Sequence, residues 1–131
     1  MEYWDAIVKW GAAVGGGLLS FLFGGWSVVL EALFFFVVAD YMTGMIAAYF
    51  EKSFSSAVGL KGIAKKVCIF GAVAIAHMID IVLGLGQVTM QAAIFFYMAN
   101  ELLSIVENTG RFGFPWPEGV KKAIEVLQQK K

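Results

Sequence analysis

Residues 67–106 read VCIFGAVAIAHMIDIVLGLGQVTMQAAIFFYMANELLSIV, and this stretch decides the fold. It holds two apolar runs, Val67 to Leu85 and Val88 to Val106. Each is close to the ~20 residues an α-helix needs to cross the hydrocarbon core of a bilayer. Only Gly86-Gln87 clearly separates them, with Gly84 and Gly86 as helix breakers. The stretch therefore reads as a tight helical hairpin across a membrane.

Working outward, Val28 to Phe50 is a third run, long enough to cross with some tilt. A fourth, Ala6 to Phe23, is shorter and holds Lys9 with Gly11, Gly15, Gly16 and Gly17. It is either a span or an interfacial or re-entrant helix. The fold class expected is an all-α integral membrane protein, a bundle of three to four transmembrane helices plus a short C-terminal amphipathic helix. Residues 1–110 would form the membrane domain, with segments at about 6–23, 28–50, 67–85 and 88–106. Residues 111–131 would form a cytoplasmic tail.

Composition agrees. Of 131 residues, 60% are hydrophobic and 15% charged, against about 25% charged in soluble domains. No soluble core of this size could hide so much apolar surface. Ten basic and ten acidic residues leave no net charge and no reason to expect a nucleic-acid partner. Cys68 is alone in an apolar run, so it forms no internal disulfide and reads as a core or lipid-facing residue. The acidic start, Glu2 and Asp5, without a small-residue cleavage site, argues against a removed signal peptide.

Charge sets the expected orientation. Glu51 to Lys66 is basic through Lys52, Lys61, Lys65 and Lys66, and the tail is basic through Arg111, Lys121, Lys122, Lys130 and Lys131. The short connections at 24–27 and 84–89 carry no charge. The positive-inside rule puts both basic segments in the cytoplasm, with Lys61, Lys65 and Lys66 as a topology-setting loop. Pro115 and Pro117 stop any continuing helix. Beyond them Val120, Ile124 and Leu127 recur at i, i+4, i+7, which marks a short amphipathic helix or else a frayed basic tail. Trp116 is placed to anchor it at the interface.

Ionisable residues inside spans each need a reason. His77 and Asp80 are three apart and share a face with Lys66, Val73 and Gly84. Asn100, Glu101, Ser104, Glu107 and Asn108 cluster on one side of the last span, and Asp40 has Gly44 one turn away. Gly44, Ala47 and Ala48 make a compact patch suited to close helix–helix contact between copies. A tight turn joins the last two spans, so their polar stripes are expected to meet. The stripes either glue helices together or line water. Two ligands at His77 and Asp80 are too few for a metal. No nucleophile–base pair or phosphate-binding loop is present, so neither catalysis nor a cofactor is expected.

One ordered set of residues is familiar. Asp40-Tyr41-Met42-Thr43-Gly44 is followed by Ser55-Ser56, Gly59, Lys61-Gly62-Ile63 and Lys65-Lys66. Then come His77 with Asp80, Asn100-Glu101 with Ser104-Ile105 and Glu107-Asn108, and Gly113 with Pro115 and Pro117. From about Glu31 to Leu127 this resembles the toxin-secretion and phage-lysis holin family; residues 1–25 carry no such motif. The resemblance implies a protein that assembles in the bacterial inner membrane and opens lesions at a set time. An endolysin or a toxin would leave through them as passenger cargo rather than as a tight binder. It also leaves room for an antiholin partner. The rival readings are a small ion or solute channel or transporter using Asp40, His77, Asp80 and Glu101, and an accessory subunit of a larger membrane complex.

Overall fold

A computed structural model of the protein describes residues 2–129; the side chains of Ile124, Leu127, Gln128 and Gln129 lie outside the described set, as do Lys130 and Lys131. The chain forms α1 (Glu2–Phe23), α2 (Val28–Phe50), α3 (Ser56–Leu83), α4 (Val88–Arg111) and α5 (Glu118–Gln129). No strand occurs among the described residues. The first four helices, of 22 to 28 residues, are long and apolar enough to cross a membrane.

Local chemistry sets the ends. Ser27 and Ser55 are extended N-caps whose hydroxyls accept from Leu30 N and Val58 N, each at 3.2 Å. Gly84, left-handed at φ 67°, closes α3, with its N–H and that of Leu85 returning to Asp80 O. The Ser55 cap corrects one expectation. Lys61, Lys65 and Lys66 are not in a loop but on the first turns of α3. An apolar run marks what lipid must cover, whereas a helix begins at its cap, and lysine is a good helix former.

α4 is the centre of the bundle. It packs most extensively on α2, next on α3, while α1 touches α3. α2 and α4 run parallel, their C-terminal ends joined by Phe50 against Phe112 and by Arg111 with Glu51. α3 runs antiparallel to both. A hydrophobic core of Leu30, Leu33, Val37, Val73, Met90 and Ile94 fills the half of the bundle near the Gly24 and Gly84 turns. Its α2 members follow the i, i+3, i+7 spacing of one helix face. α1 has no fully buried residue, and Phe23 stacks edge-on against Phe70 at 6.4 Å. The turn after it crosses His77 so closely that a Cβ on Gly24, at φ 73°, would stand 3.0 Å from the imidazole. Outside, Phe35, Phe95, Phe96 and Val82 are exposed, a surface that suits lipid.

The hairpin between α3 and α4 is closed by Asp80. Gln87, at the N-cap of α4, makes no side-chain cap. Asp80 instead accepts from Thr89 N at 2.9 Å and Met90 N at 2.8 Å, and is 1% exposed. A carboxylate from the preceding helix thus satisfies two otherwise unpaired N–H groups and sits at the positive end of the α4 dipole. Asp80 is therefore a cap, not a member of a continuous polar stripe with Lys66.

Beyond α4 the chain turns at Gly113, φ 89°. Trp116 Nε1 donates to Thr109 Oγ1 at 2.7 Å, fastening the turn to α4. α5 lies beside α4 over an apolar cavity of about 430 Å³ lined by Leu102, Val106, Val120 and Ala123, among others. Lys121, Lys122 and Glu125 are exposed on it.

The cap is testable. Asp80→Ala should lower the thermal unfolding midpoint in detergent, corresponding to about 1–2 kcal/mol for a lost cap. Asp80→Asn keeps one acceptor oxygen and should cost less. An alanine variant that melts with the wild type would refute the capping role.

Candidate functional site

Asp40 of α2, Lys66 of α3 and Glu101 of α4 stand at one level. Phe50 and Arg111 end their helices ten residues beyond the two carboxylates, and Ser56 begins α3 ten residues before the lysine. At a rise of 1.5 Å per residue this places all three about 15 Å from the same end of the bundle. Lys66 Nζ donates to Asp40 Oδ2 at 2.6 Å and to Glu101 Oε2 at 3.2 Å. Asp40 and Glu101 are 7% and 6% exposed. One ammonium thus serves two carboxylates.

Asn108 completes the joint. Its Nδ2 donates to Asp40 Oδ1 at 2.8 Å and lies 3.1 Å from both Asp40 O and Thr43 Oγ1. Thr43 in turn donates to Ala39 O at 2.8 Å. A Cβ on Gly44 would lie 3.4 Å from the Asn108 amide nitrogen, so α4 packs here in van der Waals contact with α2. Tyr41 lies over Gly59 and Gly62, where a Cβ on Gly59 would come within 3.3 Å of the phenol oxygen. The run Asp40-Tyr41-Met42-Thr43-Gly44 is thus a joint: Asp40 engages both α3 and α4, Tyr41 engages α3, and Thr43 and Gly44 engage α4. Ala47 and Ala48 are buried inside the same chain. The small-residue patch expected between copies is spent within one copy, which corrects that reading.

The other candidate residues divide. Asn100 and Ser104 line a cleft of about 450 Å³ between α3 and α4, together with Lys65, Cys68, Tyr97 and the cluster itself. Glu107 and Lys61 are exposed. His77 is buried near the other end, with Nδ1 lacking a hydrogen-bond partner. The stripes of α3 and α4 meet at Lys66 and Glu101 but not at His77 and Asp80. The antiparallel hairpin sets Asp80 beside Met90 and Lys66 beside Glu101. Lys66, expected to set topology and to share a face with His77 and Asp80, is the cation of the site. The signal for it is its distance from the first helical residue after the Ser55 cap, Ser56, equal to that of the two carboxylates from their helix ends.

At the rim, Arg111 pairs with Glu51 across α2 and α4. The guanidinium hydrogen bond, helped by its charge, holds the Glu51 carboxyl below its usual value. Among the described residues no three His, Cys, Asp or Glu side chains group as a metal site.

A four-helix membrane bundle built around buried charge is the setting in which the comparisons fall. The bacteriophage holin family profile matches residues 17–129. An uncharacterised protein of Halalkalibacterium halodurans is 48% identical over 95% of this chain and 96% of its own. A 14.9 kDa protein of Clostridium perfringens is 38% identical over 95% of each. A probable holin of Bacillus phage phi105 is 31% identical over 76% of this chain and 73% of its own. No solved structure matches. The chain belongs to the bacteriophage holin family, whose members permeabilise membranes and are not enzymes.

Lys66→Met would leave two carboxylates facing each other away from water. Breaking a buried ion pair this way costs about 3–5 kcal/mol, so the variant should unfold at lower temperature and accumulate poorly. Adding Asp40→Asn and Glu101→Gln should restore most of the loss. A single variant as stable as wild type would show that the cluster carries no structural weight.

Proposed function

We propose that this protein is a holin that assembles as a homo-oligomer in the bacterial cytoplasmic membrane and opens lesions for an endolysin or a toxin. The observation that carries the reading is a charged cluster at mid-depth that opens on the bundle surface through the α3–α4 cleft. In one copy the charges are satisfied by each other, which lets the bundle rest in lipid. Asn100, Ser104 and Lys65 on the cleft wall are a surface that hydrocarbon covers poorly. Joined copies would shield that wall, and the same wall would face water once copies separate around a lesion. No bond is made or broken in substrate. The protein acts by changing which partner, protein or water, satisfies the polar face.

Orientation follows from charge. Lys52 and Lys61 near the start of α3, Arg111 at the end of α4, and Lys121 and Lys122 beyond it favour a cytoplasmic location for that end, with the 24–27 and 84–87 turns outside. With Cys68 replaced by Ser, a cysteine at Gln87 should react with an impermeant thiol reagent in intact cells, and one at Lys122 should not. Labelling at Lys122 and not at Gln87 would invert the proposed topology.

Glu101→Leu leaves Lys66 balanced by Asp40 alone and removes a carboxylate from the polar face, so it should favour the closed state. At normal membrane levels it should delay or abolish lysis when a muralytic enzyme is co-expressed, read as culture turbidity and release of a cytoplasmic enzyme. Punctual lysis by Glu101→Leu would sink the polar-face mechanism. Wild-type protein that accumulates while membranes stay intact would sink the holin assignment and favour a channel or transporter.

A further inference from the structure

We infer that the α3–α4 cleft is the seam along which two copies join, with Lys65 of each copy reaching Glu101 of the other. This rests on the reading above, in which copies meet within the bilayer. The side chains of Asn100 and Ser104 line the cleft, half-buried, and make no hydrogen bond within the chain among the described residues. Lys65, on the same wall, is exposed and makes no ion pair there. All three stand at the level of the buried cluster, where lipid offers polar groups no partner.

Charge completes the case. Asp40 and Glu101 share Lys66, so the cluster sets two carboxyl groups against one ammonium and Glu101 can accept from a second. Lys65 is one residue from Lys66, about 100° around α3, and is the surplus cation on the rim of the cleft. A two-fold axis along the membrane normal preserves depth. It therefore sets Lys65 of each copy level with Glu101 of the other, and the self-complementary contact of such an axis makes the exchange reciprocal. The cleft, about 450 Å³, has room for the incoming lysine stem. Asn100 and Ser104, one turn apart on α4, face their counterparts across the seam and bond across it.

Disulfide formation in membranes tests this in the full-length chain. With Cys68 replaced by Ser, single cysteines at Asn100, Ser104 and the exposed Phe95 are oxidised with copper phenanthroline before lysis onset. Dimer yield at Asn100→Cys and Ser104→Cys should exceed that at Phe95→Cys several-fold. Adding Lys65→Gln to Ser104→Cys should cut the yield several-fold, Lys65→Arg should restore it, and Lys61→Gln should change nothing. Equal yields at all three positions, or a yield at Ser104→Cys that ignores Lys65, would overturn the seam. Lysis timed in the same cultures separates the two ideas. Lysis without preferential cross-linking removes the seam and leaves the holin reading. Cross-linking in cells that wild-type protein never permeabilises removes the holin reading and leaves the seam.

Discussion

Hydrocarbon offers no water, so every polar group placed in it needs a partner supplied by protein. Three features of this bundle answer that constraint. The first turn of α4 begins without a side-chain cap of its own and takes a carboxylate from α3. The two acidic residues at mid-depth share one lysine of α3, and Asp40 also accepts from an asparagine amide of α4. The turn after α4 is fastened by an indole N–H to a threonine hydroxyl. Each bond crosses from one element to another, so meeting the constraint also fixes how the helices pack.

The consequence is a bundle with unlike halves. Near the Gly24 and Gly84 turns the helices meet through Leu30, Leu33, Val73 and Ile94, which gain from tight packing. At the other end they meet through charge and amide hydrogen bonds, and α2 and α3 are propped apart over an apolar groove lined by Val37, Tyr41 and Phe70, among others. Apolar contacts in lipid have no competitor except lipid. The polar contacts have one, water, whenever water reaches them. This bundle thus has one end indifferent to hydration and one end sensitive to it.

The spans were legible because lipid exposure forces long apolar runs, and Val67–Leu85 against Val88–Val106 could be read as a hairpin without any knowledge of packing. The pairing of polar residues was not legible from faces alone. His77 and Asp80 share a face with Lys66, yet Asp80 closes a turn while Lys66 binds α2 and α4. Facing is a property of one helix, whereas pairing depends on the relative level of two. Level is set by where each helix starts, and the apolar run points to Val67 whereas the Ser55 cap starts α3 at Ser56. Gly44 was misread for a related reason: a small residue announces a close approach but not whether the neighbour is the same chain.

A buried ion pair is weak evidence for stability, since separating two charges from water costs about as much as their attraction returns. That near-balance is what a lesion former needs. If the cluster were apolar, the closed bundle would be the only state worth occupying in a bilayer. If its charges were unpaired, the chain would not insert. Two carboxyl groups around one lysine lie between these limits, since the cluster is paired within the chain and, on the proposed reading, a second copy or water would add a further partner. On the proposed reading, the second carboxyl group beside Lys66 is what would make the lipid-embedded state provisional.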